Sequence, residues 1–398
     1  MRIGYLTSRL PYPPIGGDRV RAYYLLRHLL RRHEVTLYAI GSRLPGGTTT
    51  GVRDLPGLEE RLFRIPPRGY AWNAVKGIFS RLPLQVKLYE SRALARALSA
   101  DVGRGCIDLL LVHLLRMAEY VLPLSQVPSI LDMVDSICLH YHRMPTLWHS
   151  TRWLAARLDR ERVCRYEAAM PGRFGKILLS SPVDLAALRQ KTAAKNLVLV
   201  PNGVDMEEFP SHDGLVDNNR IAFVGKLDSL PNSDAVAYIV KDILPFVVKS
   251  VPDAHLVIVG WNPPRSVQAL ARFPNVTVRA NVPDVRTELA KCAVSVAPLR
   301  FGAGTQYKIL ESLALGVPVV ATPIAALPFA SETEGPILVG RDAAGFAERI
   351  IQVLRDSSYR ERLRREGRAL VESQYAWERV LNPVDEILEE LQVQRAAP

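Results

Sequence analysis

The sequence predicts an α/β protein with two Rossmann-like domains, each built on a parallel β-sheet. Three observations lead to this prediction. Apolar, β-branched runs alternate with helical runs, the alternation occurs in two consecutive series, and glycine- and proline-rich loops lie where strands end and helices begin. A length of 398 residues suits two domains. We expect the sheets to face each other across a cleft that holds the functional site, because open α/β sheets bind ligands beyond the carboxyl ends of their strands.

The first series of elements occupies the N-terminal half of the chain. Its predicted strands are IGYLTS, EVTLYAIGS, LLLVHLL, PSILDMV and KILLSS, with a helix over 20–32 after the first of them. Strands that alternate with helices imply parallel pairing with right-handed crossovers. We assign residues 1–190 to this domain, with a hinge between residues 181 and 202.

The second series begins after Pro201. Its predicted strands are RIAFVGKL, HLVIVGW, VTVRANV, SVAPL and VPVVAT, with helices near 235–248 and 308–315. We assign residues 191–378 to this domain. The final stretch, 379–398, is predicted to be part of an amphipathic helix that packs back on the first domain.

Composition excludes some classes of protein and leaves others open. Hydrophobic content of 48% and charged content of 23% argue against extended disorder. A net charge of +11 favours anionic partners, which include nucleic acid, acidic lipid and phosphorylated small molecules, although genome composition can also produce it. We expect no nucleic-acid binding, because no nucleic-acid-binding motif accompanies the charge.

Cysteine spacing and apolar runs bear on the compartment. The four cysteines are far apart and form no CxxC, which predicts neither a zinc ribbon nor a disulfide framework and fits a reducing cytoplasm. The N-terminal stretch MRIGYLTSRLPYPP has no uninterrupted apolar core, so we expect no export signal. Residues 313–330 are long and uncharged enough to span a membrane, but their three prolines favour a buried strand.

A glycine-rich loop that opens a helix is the most informative segment, APLRFGAGTQYKILESLALGVPVVAT. Gly302 and Gly304 let the backbone approach an anion, and the N–H groups at the helix start point toward it. Arg300 and Lys308 would add positive charge, and the Glu311 carboxylate, one turn below, can accept both hydroxyls of a ribose. The same pattern is compatible with a tight loop and a solvated glutamate.

Other candidate residues also follow predicted strands. Lys226 comes after Gly225 in FVGKL and would put a cation beside a diphosphate, or would be a surface lysine. Gly16 and Gly17 follow the first strand, where the backbone can approach a ligand or simply turn. His113 ends an apolar strand, as a cleft residue or as a core histidine.

Two carboxylates end the strand SILDMVDS. Asp132 and Asp135 could hydrogen-bond acceptor hydroxyls or cap the next helix, and capping is favoured for Asp135. Elsewhere the sequence lacks HExxH, GxxxxGK[ST], a complete GxGxxG and any DxD. We therefore predict no metal site, and expect lysine and arginine to neutralise a diphosphate in place of a divalent ion.

Together these residues resemble the retaining glycosyltransferases of family 4, which have the GT-B fold. PNGVD, the GKL turn, IVG followed by proline, and above all GAGTQYKILESLALGVPVVAT carry the resemblance, which extends over essentially the whole chain. LPNSDAV, IVGWNPP, VPDVRTELA and ILDMVDS resemble the subgroup encoded with exopolysaccharide or exosortase (PEP-CTERM) systems.

The resemblance implies a UDP- or GDP-sugar donor on the C-terminal domain and an acceptor site on the N-terminal domain. Glu311 matches the second glutamate of the family's E-x7-E motif and would bind the ribose. Ala303 replaces the first glutamate, so the backbone from Gly302 through Gly304 to Thr305 would contact the transferred sugar.

The cationic and catalytic residues of the family map as follows. Lys226 matches the basic residue of the GRL element, but Asn232 stands where the family has a lysine, so Arg300 or Lys308 would compensate. His113 matches the N-domain histidine that contacts the sugar near the reacting carbon. We assign catalytic roles to His113, Lys226 and Lys308.

The implied reaction is sugar transfer with retention, without metal or cofactor, to a lipid-linked or saccharide acceptor in exopolysaccharide or cell-surface glycan synthesis. Basic residues in 68–89 and in the 20–32 helix, including Arg21, would meet anionic lipid at the inner membrane of a cytoplasmic enzyme. Alternatives are a nucleotide-sugar epimerase and a non-enzymatic scaffold. The sequence does not predict the oligomeric state.

Overall fold

A computed structural model describes residues 1–41, 55–144, 151–211, 216–302, 304–329 and 335–396, with the side chains of 151–156 and 394–396 excepted. The chain divides into two compact units, Met1–Pro201 with Leu381–Pro398 and Asn202–Val380. The division follows Pro201 and not residue 190, because the strand Leu197–Leu199 pairs with Lys176–Leu179 and extends the first sheet.

The first unit contains a parallel sheet of seven strands within its described residues, in the order β3-β2-β1-β4-β5-β6-β7. The strands are β1 (Arg2–Thr7), β2 (Glu34–Ile40), β3 (Glu59–Phe63), β4 (Leu109–His113), β5 (Ser129–Val134), β6 (Lys176–Leu179) and β7 (Leu197–Leu199). β4 is buried throughout, as expected of a central parallel strand covered on both faces. The strand order reverses between β1 and β4, so the carboxyl ends of these strands form the ligand position of a doubly wound sheet.

Helices of the first unit begin at recognisable caps. They are α1 (Gly17–Leu29), α2 (Pro67–Ile78), α3 (Leu84–Leu88), α4 (Arg92–Gly103), α5 (Ile137–Arg143), α6 (Thr151–Ala169) and α7 (Pro182–Arg189). The side chains of Ser91, Ser136 and Ser181 accept backbone N–H groups in the first turns of α4, α5 and α7. Ser136, and not the predicted Asp135, caps α5, since the helix begins one residue later than the sequence suggests.

The second unit repeats this plan with a parallel sheet in the order β10-β9-β8-β11-β12-β13. The strands are β8 (Asp217–Lys226), β9 (His255–Trp261), β10 (Val276–Ala280), β11 (Cys292–Ala297), β12 (Val319–Ala321) and β13 (Ile337–Val339). The order reverses between β8 and β11. The short strands β3 and β13 lie at sheet edges and were not predicted.

The helices of the second unit surround its sheet. They are α8 (Leu230–Tyr238), α9 (Leu244–Ser250), α10 (Arg265–Gln268), α11 (Val285–Leu289), α12 (Tyr307–Ala314), α13 (Pro323–Ala326), α14 (Ala343–Arg355), α15 (Ser357–Gln374) and α16 (Trp377–Val380). The apolar segment 313–330 contains the end of α12, the buried strand β12 and α13. None of the described helices is long and apolar enough to cross a bilayer.

The last helix, α17 (Asn382–Ala396), belongs to the first unit. Asp385 Oδ1 lies 2.8 Å from Nε2 of His28 on α1, and Lys176 Nζ lies 2.8 Å from Glu390 Oε2. The chain therefore returns to the unit in which it began.

One expectation about the cysteines is wrong. Cys138 on α5 and Cys164 on α6 form a disulfide, with their Cα atoms 4.9 Å apart. The two residues are 26 positions apart in sequence, and only the packing of α5 against α6 brings them together. Spacing along the chain carries no signal for a bridge of this kind.

Candidate active site

The predicted donor residues of the second unit lie at the carboxyl ends of β8 and β11, where the strand order reverses. Lys226 is the last residue of β8, and its side chain is 49% exposed. Arg300 and the glycine loop follow β11 and lead directly into α12, which carries Lys308 and Glu311. Residues separated by about 80 positions in sequence are thus gathered at one edge of one sheet.

Asn232 links the two lysines of this edge. Its Oδ1 accepts a hydrogen bond of 2.6 Å from Lys308 Nζ, and its Nδ2 donates one of 3.0 Å to the backbone carbonyl of Lys226. The ammonium group of Lys308 therefore lies beside Asn232, the residue that stands where the resemblance predicts a lysine. The cation is supplied from α12 and not from α8.

Gly225 makes this approach sterically feasible. A Cβ at Gly225 would lie 2.9 Å from Asn232 Nδ2 and 3.3 Å from Lys308 Nζ, closer than side chains normally pack. Gly260 on the neighbouring strand is equally constrained, because a Cβ there would lie 1.8 Å from the carbonyl oxygen of Gly225. Glycine is needed at these two positions because neighbouring atoms of the protein occupy the space that a side chain would take.

Burial perturbs both ionisable groups at the start of α12. Desolvation lowers the pKa of Lys308 to about 7, against the opposing attraction of Glu311. Desolvation likewise raises the pKa of Glu311 to about 7, although Lys308 and Arg286 favour its carboxylate. Lys308 Nζ also lies 4.3 Å from the ring centroid of Phe223. An anion bound beside Lys308 would favour its charged form.

Arg300, predicted to bind the donor, already has a carboxylate partner. Its Nε donates to Asp234 Oδ2 at 2.8 Å, a second guanidinium nitrogen contacts the other oxygen, and the guanidinium lies over the ring of Tyr238. Asp234 is buried, whereas the Arg300 side chain is 51% exposed. Its charge is partly compensated, so the geometry favours Lys308 over Arg300 as the cation that replaces the missing lysine.

Two glycines shape the loop before α12. Gly302 has φ of 144° and Gly304 has φ of 75°, both in the region that side chains rarely adopt. Phe301 is buried and anchors the start of the loop, and Thr305 is buried at its end. Ala303, predicted to contribute its backbone to the sugar site, lies outside the described residues.

The helix α12 is held firmly from below. Ser312 Oγ donates a hydrogen bond to Ser295 Oγ on β11 at 2.8 Å. Leu313 packs directly against Gly367, where a Cβ would lie 2.7 Å from Leu313 Cδ2. Gln306 occupies the N-cap position without a capping hydrogen bond from its side chain. The positive end of the helix dipole is therefore directed toward the glycine loop, as anion binding requires.

The first unit has a different arrangement at the corresponding edge, an ion-pair cluster of Arg21, Asp132 and His113. Both oxygens of Asp132 accept hydrogen bonds of 2.8 to 3.0 Å from Arg21, and Oδ2 also lies 2.9 Å from His113 Nδ1. Arg21 further donates to the carbonyls of Val200 at 2.8 Å and Pro201 at 3.2 Å, the last residues before the second unit. The three side chains are at most 1% exposed.

This cluster corrects two predictions. Burial opposes the ionisation of Asp132, but Arg21 and His113 outweigh it and lower its pKa to about 2. Its carboxylate is internally satisfied and has no exposed oxygen for an acceptor hydroxyl. Arg21 cannot contact lipid because it is itself buried in the core. Leu25 and Leu29, four and eight residues later on the same face of α1, are buried as well. That helical face was the sequence signal for its burial.

His113 is buried and both of its ring nitrogens have partners. Nε2 lies 2.9 Å from the backbone oxygen of Asp18, on the first turn of α1, while Nδ1 contacts Asp132. The ring therefore links β4 and β5 to the start of α1. Gly16 (φ 96°) and Gly17 open that helix, so the predicted glycine turn and the histidine belong to one local structure. The catalytic role of His113 stays a prediction.

Asp135 lies beyond β5 in a cluster of buried polar groups. Its Oδ1 accepts a 2.8 Å hydrogen bond from Ser180 Oγ, and burial together with the charge of Asp184 raises its pKa to about 7. Asp184 in turn accepts from Ser136 N at 2.9 Å. The predicted contact of Asp135 with an acceptor stays a prediction.

Part of the chain matches a known family. Residues 218–356 match the family model described as Glycosyl transferases group 1. A phosphatidyl-myo-inositol mannosyltransferase of Mycobacterium tuberculosis is 30% identical over 230 residues, which are 54% of this chain and 59% of that protein. A GDP-mannose-dependent monoacylated alpha-(1-6)-phosphatidylinositol monomannoside mannosyltransferase of Corynebacterium glutamicum is 29% identical over 204 residues, 45% of this chain and 52% of that protein. The chain spans little more than half the length of these curated relatives.

Solved structures resemble the whole chain. Sucrose-phosphate synthase from Thermosynechococcus elongatus covers 99% of this chain and 100% of its own with a TM-score of 0.78 at 17% identity. HepE from Anabaena, in complex with UDP and glucose, covers 98% and 99% with a TM-score of 0.69 at 12% identity. WaaG, a glycosyltransferase involved in lipopolysaccharide biosynthesis, covers 97% and 99% with a TM-score of 0.63 at 14% identity. The predicted fold is confirmed: the chain has the GT-B fold, two Rossmann-like domains with parallel sheets, and its second domain carries the match to glycosyl transferases group 1.

Proposed function

We propose that the protein is a glycosyltransferase that moves a sugar from a UDP- or GDP-sugar to an acceptor hydroxyl. The observation that carries the proposal is the contact of Lys308 with Asn232 beside Lys226. It gathers two cations at the carboxyl end of β8, next to a glycine loop that opens a helix. Cations and helix N-termini of this kind are suited to the oxygens of a diphosphate.

Each donor residue then has a distinct task. Lys226 and Lys308 neutralise the charge that develops on the departing diphosphate, and Glu311 accepts hydrogen bonds from the ribose. Backbone groups of Gly302, Gly304 and the residues around them hold the transferred sugar. Preorganised donors at a developing charge are usually the largest catalytic contribution of such sites.

The proposed reaction retains the anomeric configuration and uses no metal. The bond from the anomeric carbon to the diphosphate oxygen breaks, and the acceptor oxygen bonds to the same face of that carbon. The acceptor proton passes to the departing phosphate oxygen. Because no DxD motif is present, lysines take the role that a divalent ion has in metal-dependent transferases.

The acceptor is proposed to be a lipid-linked or saccharide molecule in exopolysaccharide or cell-surface glycan synthesis, bound by the first domain. Two relatives named as mannosyltransferases of phosphatidylinositol lipids support a lipid-linked acceptor. HepE, solved with UDP-glucose, and the relative named as GDP-mannose-dependent support a nucleotide-sugar donor without choosing its base.

Screening UDP- and GDP-sugars for transfer to lipid and glycan extracts tests the proposal. We expect Lys226→Ala, Lys308→Ala and Glu311→Ala to remain folded but to lose about 100-fold or more in turnover, since one such donor is worth about 3 kcal/mol. Lys249→Ala, an exposed lysine on α9, is the matched control and should turn over normally.

Five outcomes would contradict the proposal. Wild-type turnover of the three variants would reject these residue roles, and loss of turnover with a chelator would reject the metal-free reaction. Conversion of the donor without an acceptor would indicate an epimerase. Tight nucleotide binding without transfer to any extract would indicate a scaffold. Inversion at the anomeric carbon, measured by NMR of the product, would reject retention.

An apolar ridge on α2 supports peripheral association with an anionic membrane. Trp72, Val75, Ile78 and Phe79 form this ridge and are 61%, 49%, 59% and 86% exposed. The opposite face of α2 is anchored, because Asn73 Nδ2 donates to the carbonyls of Leu88 and Glu90. A helix that packs through its polar side and exposes its apolar side is a candidate for insertion at a lipid interface.

Positive charge near the ridge determines which lipid it fits. Lys76 Nζ lies 5.6 Å from the ring of Trp72, and the side chains of Arg68 and Arg81, in the same stretch, are exposed. Cations beside apolar side chains that insert into a membrane attract acidic lipid headgroups.

Flotation with vesicles that contain or lack anionic lipid tests the membrane proposal. We expect salt-sensitive binding to the anionic vesicles only, and loss of binding in Phe79→Asp and Trp72→Asp. Phe246→Asp, at a phenylalanine that is 50% exposed on α9, is the control. Equal flotation of the ridge variants and this control would remove the membrane from the proposal.

A further inference from the structure

A second cluster of chemically reactive side chains lies in the first unit, on helices α5 and α6. Cys138 and His142 are four residues apart on α5 and therefore share one face, and Cys164 faces them from α6. The two sulfurs and an imidazole nitrogen all lie within 4.8 Å of one another. Lys191 Nζ donates to Cys138 Sγ at 2.7 Å. Nothing in the proposed sugar transfer uses these groups.

We propose that Cys138, His142 and Cys164 bind a thiophilic divalent cation of the Zn²⁺ class when their disulfide is reduced. Two thiolates and one imidazole are a common ligand set for zinc, with water in the fourth position of an open site. This metal is separate from the donor site, where we propose that lysines act without one.

The existing geometry already matches one edge of a zinc tetrahedron. With Zn–S near 2.3 Å and Zn–N near 2.05 Å, a sulfur and a nitrogen ligand are about 3.5 Å apart and two sulfurs about 3.8 Å apart. Cys164 Sγ and His142 Nε2 are 3.7 Å apart. The two sulfurs, bonded to each other in this structure, must separate to about 3.8 Å, and all three ligand atoms already lie within 4.8 Å of one another.

Burial and charge also suit a metal. Cys138 is buried, whereas His142 is exposed, so the cluster opens to solvent on the histidine side. Lys191 Nζ, 2.7 Å from Cys138 Sγ, places a positive charge beside one of the two sulfurs. Two thiolates balance the charge of a divalent ion, so Lys191 can remain bound to sulfur after the metal enters.

The disulfide and the metal exclude each other, because two sulfurs bonded to each other leave no thiolate to bind the metal. A thiol reductant converts the disulfide into two cysteine thiols and is itself oxidised to a disulfide. The metal then binds both sulfurs and the imidazole and displaces two protons to solvent.

Metal titration of the full chain, fully reduced and then freed of reductant without oxygen, tests the inference. Co²⁺ is the probe, because thiolate-to-metal charge-transfer absorption reports sulfur ligation directly, and Zn²⁺ should displace it. We expect one bound ion per reduced chain and none per oxidised chain. Cys164→Ser, Cys138→Ser and His142→Ala should each weaken Zn²⁺ binding by at least about tenfold, since even residues outside the ligand shell can cost that much.

Two variants are matched controls. Cys106→Ser removes an exposed cysteine that is outside the cluster, and His140→Ala removes a histidine of the same helix. Both should bind as the wild type does. If Cys138→Ser fails to fold because this residue is buried, Cys164→Ser and His142→Ala still test the site. Absence of thiolate absorption in the reduced chain, or equal Zn²⁺ affinity in the ligand variants and the controls, would overturn the inference.

Discussion

The two sheets have the same strand order at their centres, yet they use charge in opposite ways where that order reverses. In the first unit, Arg21 and His113 surround Asp132, and all three are buried. In the second unit, Lys308 rests on the neutral amide of Asn232, and the half-exposed Lys226 lies 3.6 Å from the exposed carboxylate of Asp228. In both sheets these residues lie near the carboxyl ends of the strands between which the strand order reverses. The side chains decide whether the ionisable groups are fully buried against one another or partly open to solvent.

The pKa values express the same contrast. Arg21 and the hydrogen bond with His113 outweigh burial and lower the pKa of Asp132 to about 2, so this carboxylate is charged throughout the neutral range. Burial lowers the pKa of Lys308 to about 7, although the carboxylate of Glu311 favours its charged form. The charge of Asp132 is therefore constant near neutral pH, whereas the charge of Lys308 depends on pH and on neighbouring anions.

Asp132→Ala should have the largest effect, on stability. The substitution leaves Arg21 and His113 buried without their carboxylate, and breaking a buried pair in this way costs about 3–5 kcal/mol. Denaturant unfolding gives the total loss, and hydrogen exchange of β4 and β5 should localise it to the first unit.

The exposed pair between Arg2 and Asp108 provides the control for that prediction. The Arg2 side chain is 46% exposed, so we expect Asp108→Ala to lower stability far less than Asp132→Ala does. Equal losses in the two variants would mean that the buried cluster does not hold the first unit together.

Gly225→Ala should have an intermediate effect, on donor binding. The new methyl group would press on Asn232 and Lys308, and overpacking of this kind costs about 1–3 kcal/mol. Calorimetry with UDP and GDP should therefore show weaker binding. Gly103→Ala on α4, where a Cβ meets nothing within 4 Å, should leave the affinity unchanged. Unchanged nucleotide affinity in Gly225→Ala would mean that Lys308 does not contribute to donor binding.

The pH dependence of nucleotide affinity should be the smallest effect. Because an anion favours protonated Lys308, its pKa should rise on binding, so the affinity is fully present below pH 7 and declines as the pH rises above it. The decline cannot exceed about tenfold per pH unit for one proton. Lys308→Arg, which stays charged, should remove it. A decline of equal size in that variant would assign the effect to another group.

Much of the proposed donor site could be predicted because its signals are local. Gly302, Gly304 and the helix after them form a contiguous pattern, and left-handed φ values at both glycines agree with the need for glycine there. Lys226 follows a strand and lies at its end, as predicted. The link through Asn232 was not predictable, since it depends on how α8 and α12 pack around Gly225.

The first unit shows where residue-by-residue interpretation fails. Asp132 was assigned to an acceptor and Arg21 to a membrane, because a charged residue in isolation indicates a ligand or solvent. The structure pairs them across 111 positions of sequence. The sequence likewise predicts no pairing of Cys138 with Cys164, because only the packing of α5 against α6 brings the two cysteines together. Partners distant in sequence leave no pattern in either segment alone.

By itself, the sequence determined the alternating strands and helices, the division into two Rossmann-like domains and the glycine loop, because hydrophobic periodicity and glycine conformation act within a few residues. Only the tertiary structure decided which charges are compensated and which remain available, because that depends on side chains brought together from separate strands and helices. Electrostatic energies depend on distance and burial, and both are properties of the folded chain.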